Sequence, residues 1–162
     1  MEFTFETEYN DKALTAMAKA LRKTVRKKKN RRSHIFGAIV AVLGLVVIAR
    51  DFAFDFSTII TMAAVLVLLL TLFFEDRLNG HWAKKRLLPG TKNVVSHFSA
   101  EGFTTITEAG KTDWKYDKIQ TVIETGDAFV FAFSRNHGQI YDKNHLQGGT
   151  VDEFRRFNEA AT

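Results

Sequence analysis

Residues 35–49 read IFGAIVAVLGLVVIA and residues 56–74 read FSTIITMAAVLVLLLTLFF, with only Arg50-Asp51-Phe52-Ala53-Phe54-Asp55 between them. The second run carries no charge, and as a helix it reaches about 28 Å, close to the roughly 30 Å hydrocarbon core of a bilayer. The first is shorter and is expected to gain length at its far end, with Phe52 and Phe54 still in lipid while Arg50 and Asp51 snorkel to the interface. Both faces of both segments are apolar, and too little other sequence remains to wrap two such helices inside a soluble core. The expectation is a transmembrane helical hairpin.

Outside the hairpin only one modest domain can be built from a chain of 162 residues. There are no cysteines, which removes disulfides, thiol nucleophiles and thiolate metal sites. No cleavable leader is expected, since more than thirty mixed and polar residues precede the first apolar run. Between Arg22 and Arg32 the chain reads RKTVRKKKNRR, eight basic residues and no acid. Taking those eight from the formal net charge of +5 leaves −3 for everything else, so the high isoelectric point comes from one patch beside the first apolar run. With Arg77, Lys84, Lys85 and Arg86 after the second run, the basic excess places both termini in the cytoplasm of a multi-pass cell-membrane protein. The basic run has no interleaved aromatic residues for base stacking, so no nucleic-acid partner is expected.

The flanks carry two different periodicities. In MEFTFETEY, Phe3, Phe5 and Tyr9 alternate with Glu2, Thr4, Glu6 and Glu8, a half-buried strand whose partners must lie beyond the hairpin. Asn10 or Asp11 then caps a helix with Leu14, Met17, Ala18, Leu21 and Val25 on one stripe, expected to run on into the membrane. After the second apolar run, EDRLNGHWAKKRLL reads as an extension of that helix, with Leu78, Trp82 and Leu87 or Leu88 packing inward, ended by Pro89-Gly90.

From Lys92 onward the texture is β. Strands are expected near residues 93–98, 103–108, 112–116, 120–125, 128–134 and 139–142, broken at Glu101-Gly102, Ala109-Gly110, Gly126-Asp127 and Asn136-His137-Gly138. Thr150 with Glu153 forms a capping box for a last helix whose stripe is Val151, Phe154 and Phe157. Phe129, Phe131 and Phe133 share a strand face, directed at that helix or at Trp114.

The N-terminal strand, the basic helix, the two apolar helices and the stretch FSAEGFTTITEAGKTDWKYDKIQTVIETGDAFVFAF together resemble the bacterial YcxB-like proteins. The most specific part is the order Glu101-Gly102, Gly110, Trp114, Ile119, Val122, Glu124, aromatic strand and terminal helix. Proteins of this kind look similar to bacterial pleckstrin-homology-like membrane proteins. That resemblance implies an α+β membrane protein in which a two-helix hairpin is inserted into a seven-stranded antiparallel β-sandwich or partly open barrel plugged by a C-terminal helix. A proline common in the family after the strand at 139–141 is absent, the chain reading Ile140-Tyr141-Asp142-Lys143. The organisation expected is residues 1–9 as a strand joining the C-terminal sheet, 10–34 as a basic amphipathic helix and 35–56 as the first transmembrane helix and loop. Residues 57–74 follow as the second transmembrane helix, 75–90 as a cytoplasmic helical extension and 91–162 as the pleckstrin-homology-like domain.

No catalytic constellation is legible. The five histidines, at 34, 81, 97, 137 and 145, never stand three or four apart on one predicted helix, and no phosphate loop or nucleophile elbow occurs. His137, His145 and Asp142 remain the one set that folding could bring together. No metal, cofactor or enzymatic activity is expected. Headgroup contact is expected of Arg22, Lys23, Arg26, Lys27, Lys28, Lys29, Arg31 and Arg32, and of an aromatic and basic collar made by Trp82, Lys84, Lys85 and Arg86. Gly37, Ala41 and Gly44 give the first apolar helix a small-residue side, for close packing on the second helix or for a homo-oligomer. The leading functional expectation is a non-enzymatic protein that tethers its cytoplasmic domain to the inner leaflet for binding a protein or peptide. The alternative is a sensor of anionic lipid or membrane state, with a transporter subunit or enzyme behind both.

Overall fold

The computed structural model describes residues 2–50 and 55–161. The expectations for Asp51, Phe52 and Phe54 lie outside the described residues. The chain is mixed α+β, with β1 (Phe3–Glu8), α1 (Asp11–Lys23), α2 (Lys27–Arg50), α3 (Phe56–Phe73) and α4 (Glu75–Lys85) preceding the remaining strands. These are β2 (Asn93–Ser99), β3 (Gly102–Thr107), β4 (Gly110–Trp114), β5 (Thr121–Glu124), β6 (Ala128–Ala132), β7 (Gly138–Asp142) and β8 (Leu146–Gln147), and α5 (Val151–Ala161) ends the chain.

All strand pairs are antiparallel, in a five-stranded sheet of order β4-β3-β2-β1-β8 and a three-stranded sheet of order β5-β6-β7. The N-terminal strand lies inside the larger sheet, Phe3 opposite Phe98 and Phe5 opposite Ser96. The alternation of MEFTFETEY holds, since Phe3, Phe5 and Thr7 are buried while Glu6 and Glu8 are exposed. The two sheets do not close into a barrel. Both edges of β1 are taken, by β2 and β8, so β7 meets it through side chains: the Asp142 N–H donates to Thr7 Oγ1 at 3.1 Å and the Tyr141 ring packs on Phe5. The strand expected at 112–116 ends two residues early. Tyr116 opens a 3₁₀ turn (Tyr116–Lys118), and its hydroxyl donates to the Ser99 carbonyl at 2.7 Å.

Between the sheets lies an aromatic core of Phe3, Phe5, Phe98, Phe103, Phe129, Phe131, Tyr141 and Phe154. Phe154 of α5 fills its centre, with ring centroids 4.7 Å from Phe5, 5.0 Å from Phe129, 5.1 Å from Phe98 and 5.3 Å from Phe3. The capping box fixes this helix, as the Glu153 carboxylate accepts from the Thr150 N–H at 2.7 Å while Thr150 Oγ1 accepts from the Glu153 N–H at 3.2 Å. Both destinations expected of the β6 face occur. Phe129 and Phe131 reach α5, whereas Phe133 stacks on Trp114 with centroids 4.6 Å apart. The opposite face of β6 carries Ala128, Val130 and Ala132, over which α1 lies with Ala20 and Leu21. Small residues there let a helix approach closely.

Against α1 packs α4, antiparallel to it. A Cβ on Gly80 would stand 2.6 Å from Thr15 Oγ1 and 2.8 Å from the Thr15 backbone nitrogen, so only glycine permits this crossing. The inward face of α4 is therefore Gly80. Leu78, Trp82 and Leu88 are exposed and Leu87 is half-buried, which corrects the inward packing expected of that leucine and tryptophan stripe. The helices also do not run on unbroken. At Thr24 (φ −111°, ψ −83°) the α1 ladder ends, with Thr24 Oγ1 donating to the Ala20 carbonyl and the Arg26 N–H reaching back to Leu21. A one-residue interruption at Phe74 separates α3 from α4.

The hairpin α2–α3 packs through the small-residue side of α2. Ala41 is buried, and a Cβ on Gly37 or Gly44 would meet Leu72 Cδ1 at 2.9 Å or Val65 Cγ2 at 2.5 Å. Otherwise both helices are long, apolar and bare, with 11% and 6% of their apolar windows buried.

Candidate functional site

The hairpin meets the folded part at a polar base. Arg22, in the last turn of α1, donates from Nε and Nη2 to the two Asp76 carboxylate oxygens at 2.6 Å each, a bidentate clamp onto the first turn of α4. Hydrogen bonding to the Asp76 carboxylate pushes the Arg22 pKa up, against burial. One residue earlier, Glu75 Oε2 lies 2.7 Å from His34 Nε2 and 4.0 Å from Arg22 Nε. With its nitrogen turned toward Glu75, the Asn30 amide joins the same group. His34 and Glu75 are the last polar residue before one apolar run and the first after the other. Each apolar helix thus ends at a mutually satisfied polar residue.

Just beyond that clamp the remaining basic residues of the run, Lys23, Arg26, Lys27, Lys28, Lys29, Arg31 and Arg32, make no ion pair with any described residue. All but the half-buried Arg26 are exposed, and the buried Arg26 Nε has no hydrogen-bond partner. The break after Thr24 gathers them at an elbow between α1 and α2.

The collar stands elsewhere. Because α4 runs antiparallel to α1, Lys84 Nζ meets Asp11 at the start of α1, 2.5 Å away, while Arg22 meets Asp76 at the other end. Lys85 Nζ sits over the Trp82 ring, 5.3 Å from its centroid. Trp82, Lys84, Lys85 and Arg86 therefore lie at the far end of α4 from the hairpin, and the structure does not join them to the 22–32 run. The partner of Lys84, and the antiparallel course that separates the two basic groups, were invisible to a reading that extended each apolar helix straight on.

Elsewhere several charges are paired. Glu124 on β5 accepts from Arg155 Nε at 2.8 Å and from Lys143 Nζ at 2.7 Å, and these cations pull its pKa down to about 2. Lys92 pairs with Glu8 at 2.7 Å and Lys12 with Asp127 at 3.6 Å. His145 Nδ1 approaches Asp142 at 3.2 Å, but His137 packs near Trp114 and Phe133 at the opposite end of β7, so that trio does not assemble. Among the described residues no three metal-ligating side chains converge.

Two grooves flank the three-stranded sheet. The strand β5 pairs with β6 alone, leaving one backbone edge free, and between that edge and α5 lies a groove of about 380 Å³ lined by Ile119, Thr121, Val122, Arg155 and Glu159. On the α1 side, a larger groove of about 580 Å³ runs from the β5–β6 turn to the end of α1.

These features define an α+β protein with two sheets facing an aromatic core and a pair of long apolar helices between its first and second strands. Residues 98–158 match the model of the YcxB-like protein family, bearing out the resemblance over β3 to β7 and most of α5. The match leaves out β1, α1 to α4 and most of β2, a narrower span than the resemblance suggested. No curated protein and no solved structure matches the chain.

Proposed function

We propose that the protein is a non-enzymatic module of the bacterial cell membrane, with α2 and α3 inserted as a hairpin and both termini cytoplasmic. On this reading the two sheets and α5 form a pleckstrin-homology-like domain held at the inner leaflet, where it binds a segment of a partner protein. The observation that carries the membrane reading is the bare apolar surface of both helices: Phe36, Val42, Leu43, Val47, Leu66 and Val67 are each more than half exposed. Water does not tolerate that much contiguous apolar area, and nothing else among the described residues covers it. The free edge of β5, with α5 alongside, supports strand addition as the binding mode.

The absence of native cysteines makes the topology directly readable. On intact cells, a membrane-impermeant thiol reagent should label the Ala53→Cys variant and not Asn136→Cys. The reverse pattern would invert the orientation, and labelling of both would remove the hairpin. For the binding role, a photo-crosslinking residue at the exposed Thr121 should give one discrete protein adduct in cells, abolished by Val122→Pro. Lipid adducts alone would sink it.

A second reading, sensing of anionic lipid, is favoured by the seven unpaired cations of the elbow. Residues 91–162 carry eight Lys/Arg against ten Asp/Glu, so attraction to an anionic leaflet would come from the elbow and from the Trp82, Lys84, Lys85 and Arg86 collar. Vesicle binding that falls steeply with salt and disappears when Lys27, Lys28 and Lys29 become glutamine would support it.

A further inference from the structure

We infer that the groove between α1 and the three-stranded sheet is a binding site for a single-chain anionic amphiphile, a long-chain fatty carboxylate, taken from the adjoining leaflet. At about 580 Å³ its volume falls within the range of small-molecule sites. Its floor is an apolar strip set within a polar and charged rim. Ala13, Ala16 and Ala20 of α1 face Ile123, Ala128 and Ile140 of the sheet. Beside the trough, α1 packs on β6 and β7 through Ala20 and Leu21, with Ile123 of β5 half-buried against the same cluster.

The charges on its rim decide the ligand. Every acid there already has a partner: Glu8 holds Lys92, Glu124 holds Lys143 and Arg155, Asp127 holds Lys12, and Asp142 accepts from the Asn144 N–H and faces His145. Two rim cations, Lys19 and Lys23, have no ion-pair partner among the described residues. They stand four apart, on one face of α1, at the end of the groove next to the elbow. The complement of this surface is an apolar tail lying along the alanines with one anionic group at the two lysines. A carboxylate satisfies both lysines, whereas an uncharged headgroup satisfies neither.

The source of the ligand rests on the membrane reading above, since the basic end abuts the elbow at the foot of the hairpin. The site itself does not, and it lies on the other side of β5 from the groove beside α5. Its failure would leave topology and strand addition untouched.

The test uses the full chain in neutral phosphatidylcholine nanodiscs, carrying Ala16→Cys, with sodium myristate as the probe and myristyl alcohol as its uncharged counterpart. At ten times its half-protecting concentration, myristate should slow maleimide reaction of the introduced thiol about tenfold. The alcohol should protect far less. Lys19→Gln with Lys23→Gln should raise the half-protecting concentration of myristate roughly tenfold or more. A thiol introduced by Lys111→Cys on β4, remote from the groove, should react at an unchanged rate. If Ala16→Cys misfolds, the half-buried Ala13 gives a second position on the same wall. No protection, equal protection by the alcohol, or protection indifferent to the two lysines would each overturn the assignment.

Discussion

The two faces of β6 are packed in opposite ways. Toward the facing sheet it presents Phe129 and Phe131 to a cluster of rings, and toward α1 it presents Ala128, Val130 and Ala132 to a helix that itself contributes Ala20 and Leu21. The ring side supplies volume and is closed by one residue, Phe154. The helix side is thin and owes its cohesion to close approach, at Gly80 against Thr15, and to charge, at Arg22 against Asp76 and Lys84 against Asp11. One strand thus joins a layer that behaves as a domain core to a layer whose parts can separate without emptying that core. The hairpin is attached to the second layer only, through α1 and α4.

The sharpest way to break this contrast is at its ring side. Phe154→Ala should cost about 3–5 kcal/mol, because it leaves a cavity ringed by Phe3, Phe5, Phe98 and Phe129 that none of them can collapse to fill. That is a large share of a small domain's stability. Denaturant titration of the purified protein, followed by protection of β2 and β6 amides, checks it, and a loss under about 1 kcal/mol would mean that α5 is peripheral.

On the helix side the expected losses are smaller and differently distributed. Gly80→Val forces α4 away from the Thr15 backbone and should cost about 1–3 kcal/mol, as overpacking does. Asp76→Asn should cost about 1–3 kcal/mol by leaving the guanidinium of Arg22, only a fifth exposed, without its carboxylate. Both variants should open the elbow to trypsin at the 22–32 run while β2 and β6 amides stay protected. Equal deprotection of α1 and of the aromatic core would show the two layers to be one cooperative unit.

What the sequence revealed follows the same division. The ring side was legible because period-two alternation and the Thr150–Glu153 capping box are local signals, so Phe3, Phe5, Phe129, Phe131 and Phe154 could all be sent to one core. The helix side was not. Thr24 interrupts a stretch of good helix formers with no glycine or proline to mark the break, and the antiparallel return of α4 is set by a clearance at Gly80 that only a partner backbone reveals. The two-residue β8 is too short to have a period, yet it takes the edge of β1 that a barrel would need. For the candidate sites, the basic run was plain, but which of its charges are already spent is a tertiary fact. Arg22 and Lys84 are committed to Asp76 and Asp11, whereas Lys19, outside the run of eight, proves to be unpaired.

The smallest predicted effect tests whether α5, the plug of the ring side, also depends on charge. Glu124 links β5 to α5 through Arg155 and to the start of the turn after β7 through Lys143, and it titrates near 2 instead of its ordinary 4.5. A lowered carboxylate pKa means that the unfolded chain binds the proton more readily. The stabilisation is therefore complete above pH 4.5 and is lost as the pH falls toward 2. The carboxylate is a third exposed, so solvent screening holds the contribution below about 1 kcal/mol. Protection of the α5 amides, relative to their intrinsic exchange rates, should fall across that acid window in the native protein, beyond any change in β2. In Glu124→Gln the α5 amides should be less protected at neutral pH and lose less further protection on acidification, which locates the effect in this ion pair. If α5 in the native protein and in the variant responded to acid alike, the helix would be held by Phe154 and its neighbouring rings alone, and the ring side would be indifferent to charge where the helix side is built on it.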